Sequence, residues 1–360
     1  MDISGTNLQE IAIIIPTVPD QTLIIDGAAT LRTVSFDGSR FITGDQNGNI
    51  YVSADGASWD GEGSTGTRPL SQPLTYDGTY YYAVTAAGIF NPTPFPGYTD
   101  LGNARYSTDL STWTVIDNGN SNIAANNFIT VSWNGGQGNI PYQALGIQSG
   151  YSVIRTQINT LAGANAWQGV YTDINLGDST GGPRKNIYGA GRWVTICDDV
   201  SGAGGSDVTF RTKIISQANA NVITSSDVVF TGNFREYYSS IAYGNGIFMA
   251  TPQGYDALAA NVILTSTDGI TWTRANVSWP NSIGLSTSLT FSNTTNTWAM
   301  LTRPLFQTAC NGIWISDNNG NTWSNIAPAD GGLAWWSLAY GDGKFVAVGA
   351  NGNVCIRNGY

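Results

Sequence analysis

The sequence predicts an all-β chain folded as a radial β-propeller, and three observations predict it. Four tryptophan-terminated turns recur along the chain, and a strand, glycine turn and strand phrase recurs between them. The composition is that of short strands and loops: charged residues are only 11% of the 360, and Gly numbers 44. Asn, Thr and Ser crowd the segments between apolar runs, which suits turn-rich β-structure over helices. A chain of this length can bury a large core as one domain, and no low-complexity linker marks a second.

The N-terminal residues divide in two. Residues 11–15 are an apolar run, followed by Pro16 and Pro19, too hydrophobic for a solvated tail. Side chains alternate along an extended chain, so Ile11, Ile13 and Ile15 share one face. Residues 1–20 are therefore expected to form a docking arm, and residues 21–360 a single propeller domain. The last repeat unit ends near Cys355 without an outer strand, whereas the first begins late, near Leu31. Residues 21–25 are expected to supply the missing strand and so remove an exposed sheet edge.

From Leu31 onward the strand phrase sets the period. It reads Val34, Phe36, Gly38, Phe41 in one copy and Leu74, Tyr76, Gly78, Tyr80 in the next. Later copies are Ile241, Tyr243, Gly246, Phe248 and Leu338, Tyr340, Gly343, Phe345. Degenerate copies lie at 187–193 and 289–298, and the gap between Tyr81 and Trp193 requires a blurred copy near 142–145. The result is seven units of roughly 40 to 56 residues, each a short run of strands, which is the signature of a propeller, expected here to be seven-bladed.

The turns follow one chemical rule. A tight hairpin needs a short oxygen-bearing side chain to bind the turn's N–H groups, a residue tolerant of positive φ, and an apolar anchor beneath. Asp55 with Trp59, Asp109 with Trp113, Asp268 with Trp272, and Asn318 with Trp323 supply these, preceded by Ser53, Ser107, Ser266 and Ser316. The second copy carries Leu110 in place of Gly, and the fourth carries Asn318 in place of Asp. These turns resemble the Asp-box, or bacterial neuraminidase repeat. The resemblance implies that they lie on the propeller rim, where their aspartates are structural.

Asp-box propellers include sialidases, so glycoside hydrolysis is the enzyme reading to weigh. There is no His in the chain and only three Glu, namely Glu10, Glu62 and Glu236. The absence of His removes Ser-His-Asp and Cys-His nucleophilic systems and His-ligated zinc together. The sialidase resemblance implies three substrate-binding arginines and a Tyr assisted by Glu. Arg235, Glu236, Tyr237 and Tyr238 are the local candidates, with Arg192 and Arg303 elsewhere, but the arginine motif that precedes the Asp-boxes in sialidases is absent. The expectation is no catalytic residue, no cofactor and no metal site, since no loop carries alternating oxygen ligands for calcium. Cys197, Cys310 and Cys355 show no paired spacing and read as buried thiols, with a pairing of Cys310 and Cys355 the alternative.

Aromatic residues outside the repeat register are candidates for surface or glycan contact: Phe95, Tyr98, Tyr237, Trp279 and Trp335. Flat rings stack on sugar faces while neighbouring Asn, Asp and Thr bind hydroxyls; the alternative is that each ring lids its own blade. The net charge of −10 disfavours nucleic acid and anionic membrane surfaces as partners.

The phrase at 337–349, followed by Asn351, Gly352 and Asn353, resembles the repeat of propeller domains in bacteriophage tail and appendage proteins. That resemblance implies a virion structural protein without enzymatic activity, tail-associated as fibre, tip or decoration. It would dock on other virion proteins or sister subunits through its N-terminal arm and meet the host surface with its propeller. The basic start and hydrophobic core of a signal peptide are not seen, which fits a virion protein made in the host cytoplasm. A sialidase-like glycosidase or glycan binder, and a cellular assembly-factor propeller, stand as alternatives.

Overall fold

The computed structural model describes residues 21–66, 69–85, 103–116, 128–136, 142–148, 152–158, 183–201, 209–218, 228–232, 237–252, 262–277, 285–303, 312–326 and 333–358. The proposed arm, with Ile11, Ile13 and Ile15, lies outside these residues, as do Phe95, Tyr98, Trp279, Arg235, Glu236 and Cys310. Among the described residues all regular structure except one short 3-10 turn is β-strand.

In chain order the strands are β1 (Gln21–Ile24), β2 (Leu31–Phe36), β3 (Phe41–Asp45), β4 (Asn49–Ser53) and β5 (Asp60–Ser64). Next come β6 (Thr75–Tyr76), β7 (Tyr81–Thr85), β8 (Asn103–Ser107), β9 (Thr114–Val115), β10 (Phe128–Trp133), β11 (Tyr142–Gln148) and β12 (Ser152–Ile158). They continue as β13 (Pro183–Gly189), β14 (Arg192–Ser201), β15 (Thr209–Ala218), β16 (Val228–Thr231), β17 (Tyr238–Gly244), β18 (Ile247–Pro252), β19 (Val262–Ser266) and β20 (Thr273–Asn276). The last are β21 (Leu285–Ser292), β22 (Thr297–Arg303), β23 (Gly312–Ser316), β24 (Ser324–Asn325), β25 (Trp335–Gly341), β26 (Lys344–Gly349) and β27 (Asn353–Asn358).

Successive strands pair antiparallel into sheets β2–β5, β6–β9, β10–β12, β13–β16, β17–β20 and β21–β24, and a closing sheet of order β1-β27-β26-β25. The first strand of a sheet packs on the first strand of its neighbour, β10 on β13, β13 on β17, β17 on β21, β21 on β25 and β25 on β2, so these strands surround a central axis. The architecture is an all-β propeller. Where the sequence predicts seven blades, the described residues show six complete four-stranded blades, because the unit at 128–158 contributes only the three-stranded sheet β10–β12.

Closure follows the expected route. Gln21, Thr22, Leu23 and Ile24 pair with Ile356, Cys355, Val354 and Asn353, so β1 is the outermost strand of the closing sheet. The connector then turns inward to β2, with Asp45 accepting the N–H groups of Ala29, Asn47 and Asn49.

Burial follows position within each sheet. The second strands β3, β7 and β26 are buried at every residue, because both of their faces meet a neighbouring sheet. The outer strands β9 and β24 are exposed. Six first strands carry one extra residue opposite the second strand, at Arg32, Ile129, Arg184, Ser239, Thr287 and Trp336. Such bulges raise the local twist, here always at the same distance from the turn that follows.

Hydroxyl groups then tie first strands together around the axis. Ser337 Oγ accepts from Val34 N at 3.1 Å, and Ser288 Oγ accepts from Leu338 N at 3.2 Å. Ser239 Oγ donates to Ser286 O at 2.7 Å, Ser132 Oγ to Asn186 O at 3.1 Å, and Thr75 Oγ1 to Val131 O at 2.8 Å.

Candidate functional site

The tryptophan-terminated turns are built as the residue chemistry requires. Ser53 Oγ accepts from Gly56 N at 2.8 Å, while Asp55 Oδ1 accepts from Ala57 N and Ser58 N, each at 2.8 Å. Asp109 Oδ1 accepts from Ser111 N and Thr112 N, and Asp268 Oδ1 from Ile270 N and Thr271 N. Asn318 Oδ1 takes the same part by accepting from Thr322 N at 2.9 Å. Leu110 holds a φ of 63°, the conformation glycine supplies in the other copies, and its side chain is buried among Ile42, Ile50 and Val52 of the preceding sheet. That burial offsets the strain of a non-glycine residue in the left-handed region.

The indole N–H of Trp59, Trp113 and Trp323 donates to the backbone oxygen of Gly56, Leu110 and Gly320. Trp323 is buried, whereas Trp59, Trp113 and Trp272 are half-buried, so three of the four anchors lid the turn from its side. The turns also join neighbouring sheets, with Gly56 resting on Val346 and Ile356, and Gly320 on Ile263 and Met249.

These bonds set the acidity of the turn carboxylates. Asp268 is lowered to about 2 by the N–H groups of Thr271 and Ile270. Asp109 is held far below the ordinary value by Thr112 and Ser111. At Asp55 burial pulls upward, but the N–H groups of Ser58 and Ala57 outweigh it. A carboxylate held ionised and bound to backbone N–H groups is a poor proton donor.

At one mouth of the ring the turns between first and second strands gather. An open cavity of about 580 Å³ is lined there by Phe36, Tyr243, Phe291 and Tyr340, with Asn293, Thr294, Gly341, Asp342 and Gly343. The four aromatics occupy equivalent positions near the ends of β2, β17, β21 and β25 and form an arc across four sheets. Each is half-buried and packs on the first aromatic of its own second strand, with ring centroids between 4.6 and 5.0 Å apart. Asn293, Thr294 and Asp342 are exposed, and Asp342 Oδ2 bonds Lys344 Nζ at 2.7 Å. Apolar ring surface beside amide and hydroxyl groups can take a flat polar ligand by stacking and hydrogen bonding together.

The remaining site candidates change under the structure. Tyr237 and Trp335 are buried, at 5% and 4% exposure, and so are not surface contact rings. Both stand at the entrance to a first strand, where the neighbouring sheet covers them; the Arg184 guanidinium lies 4.8 Å from the Tyr237 ring centre. Arg192 donates to Ser216 Oγ at 2.8 Å within its own sheet. Cys197 and Cys355 are buried. Among the described residues no group of three His, Cys, Asp or Glu side chains is placed to hold a metal ion. The mouth aromatics are absent from the sequence-based candidates. Their signal was present in the repeat phrases, where Phe36, Tyr243, Phe291 and Tyr340 stand at one equivalent place that reads as turn entry alone.

No protein-family model matches the chain, and no curated protein matches it. Solved structures resemble it in fold. The β-propeller domain of Cps50 (Swd1) from Myceliophteria thermophila aligns with a TM-score of 0.60 at 10% identity, covering 94% of this chain and 100% of that one. A chain of the Mitotic Checkpoint Complex aligns at 0.60 and 12% identity, covering 96% and 95%. Virginiamycin B lyase from Staphylococcus aureus aligns at 0.56 and 10% identity, covering 94% and 98%. These likenesses establish the β-propeller fold. Their differing roles carry no function over to this chain.

Proposed function

We propose that the protein is a non-enzymatic structural propeller of a bacteriophage virion, tail-associated, with Asp-box turns as rim fasteners and the aromatic mouth as its contact for host-surface glycans. The observation that carries the contact is the mouth cavity, where Phe36, Tyr243, Phe291 and Tyr340 stand beside exposed Asn293 and Thr294. The turn carboxylates support the non-enzymatic part, since each is engaged by backbone N–H groups. The virion part rests on the repeat at 337–349 and its likeness to phage appendage propellers. Outermost placement of β1 supports attachment through residues 1–20, because Gln21, the residue that follows them, begins the perimeter strand of the closing sheet.

A glycan array run in parallel with a sialidase assay tests the reading. Binding of neutral glycans without hydrolysis is expected, weakened about tenfold in an Asn293→Ala, Thr294→Ala double variant through loss of side-chain hydrogen bonds. Hydrolysis, or glycan binding unchanged in the double variant, would move the function away from the mouth. Purified particles of the source phage should contain the chain by mass spectrometry.

A further inference from the structure

Charge at the mouth cavity comes from one side chain. Among the described residues that line it, Asp342 alone is ionised at neutral pH, and the others offer rings, glycine backbone, and the amide and hydroxyl of Asn293 and Thr294. The Asp342 side chain is 63% exposed, whereas that of Lys344, whose Nζ donates to Asp342 Oδ2 at 2.7 Å, is only 9% exposed. The ion pair therefore turns its negative end to solvent and its positive end into the sheet. A carboxylate retains acceptor sites beyond the one this bond uses. In the turn beside Phe36, Arg40 is held at 3.2 Å by Asp37, with Glu62 3.8 Å from the same guanidinium, so that cation is compensated within its own sheet.

The hairpin itself does not call for an acid at this place. Asp342 takes the first position of a two-residue turn at a φ of 46°, and the equivalent position carries Ala190 at 47° before β14 and Asn245 at 48° before β18. Asn and Asp tolerate this left-handed conformation alike. Asn245 also has a packing task, its Nδ2 donating to Asn319 Oδ1 in a rim turn at 3.2 Å. The turn thus accepts a neutral residue in two sheets and carries a charge where it lines the cavity. A carboxylate at the wall of a cavity attracts an entering ammonium and repels an entering acid.

We infer, on the glycan reading of this cavity, that Asp342 sets the charge selectivity of the mouth: sugars bearing an ammonium group are preferred to neutral ones, and sugar acids, sialic acids and uronates among them, are rejected.

Titration of the full chain with methyl β-glucosaminide, methyl β-N-acetylglucosaminide and methyl β-glucuronide tests this by ligand-observed NMR, at low salt and at a mildly acidic pH that keeps the amine protonated. Affinity is expected to fall in that order by about threefold at each step, the size of one exposed ion pair. High salt should compress the steps. Asp342→Asn installs the residue that the equivalent turn carries at Asn245 and should reverse the order, because the Lys344 ammonium then lacks its carboxylate. Lys344→Met should keep the order and widen it. Equal affinities, or an order that Asp342→Asn leaves unchanged, would overturn the role of Asp342 and leave the glycan reading standing. Failure of all three glycosides to bind would sink both.

Discussion

The seams at the mouth of the ring are fastened in two ways, and the contrast separates one region of the molecule from another. Between sheets β2–β5, β6–β9 and β10–β12 the fastener is a carboxylate meeting phenols. Asp37 Oδ2 accepts from Tyr81 OH at 2.8 Å, and Asp77 Oδ2 accepts from Tyr82 OH at 2.7 Å and Tyr142 OH at 2.6 Å. Between β13 and β17, β17 and β21, and β25 and β2 the fastener is a glycine meeting a ring. A Cβ placed on Gly189, Gly244 or Gly341 would lie 2.2 to 2.3 Å from the Cγ of Tyr243, Phe291 or Phe36. The same residue position, directly after the last aromatic of the first strand, carries Asp in one region and Gly in the other.

Turn geometry goes with the choice. Behind the glycines stand two-residue hairpins with positive φ at both central positions, as at Asn245 (48°) and Gly246 (74°). The aspartates open four-residue turns and hold them by accepting N–H bonds, Asp77 from Thr79 and Tyr80. One region thus excludes water with close-packed ring surface, and the other uses charge-assisted hydrogen bonds. The carboxylate also pushes its phenol partners up in pKa, Tyr81 to about 12, where burial is the larger cause and Asp37 adds to it.

Breaking the apolar seam is expected to have the largest effect. Gly244→Ala drives a methyl group into the Phe291 ring and should destabilise by about 3 kcal/mol, read as a lower urea midpoint. The polar seam should break more gently. Asp77→Ala leaves the buried Tyr82 phenol, the half-buried Tyr142 phenol and two turn N–H groups without their acceptor and should cost about 2 kcal/mol, whereas Tyr142→Phe, which removes one bond, should cost about 1 kcal/mol. If Gly244→Ala proves milder than Asp77→Ala, the ring contact is less tightly packed than its geometry states.

Much of this arrangement was legible in the residues. Ser, Asp, Gly and Trp at the turns announced the hydrogen bonds they make, because those bonds are local to a few residues. The closing strand was legible from the truncated last unit. The seam glycines lie inside the repeat phrases but their role is not legible there, since the lack of a Cβ matters to a ring on the neighbouring sheet, which for Gly341 is Phe36 near the other end of the chain. Tyr237 and Trp335 read in the sequence either as contact rings or as lids on their own blade, and only the neighbouring sheet, which buries them, decides for the packed reading.

The rim turns give the smallest effect and a pH signature. Asp268 is lowered in the folded state, so its stabilising contribution is complete above the ordinary carboxylate value and is lost as pH falls toward about 2. Asp268→Asn reproduces the chemistry of Asn318 and should remove that dependence. The stability gap between the two proteins should be visible at pH 5 and vanish near pH 2; a gap that does not change with pH would mean the carboxylate charge contributes nothing at the turn.

Ring closure is the claim on which both kinds of seam depend, and the native Cys355 offers a direct test. Thr22 and Cys355 are cross-strand partners in the antiparallel pair of β1 and β27, within the Cα separation a disulfide spans. Oxidation of a Thr22→Cys variant should yield one intramolecular disulfide to Cys355, seen by peptide mapping, with a raised unfolding midpoint because the crosslink joins distant parts of the chain. A folded, oxidised Thr22→Cys protein in which the new thiol stays unlinked to Cys355 would contradict closure by the N-terminal strand.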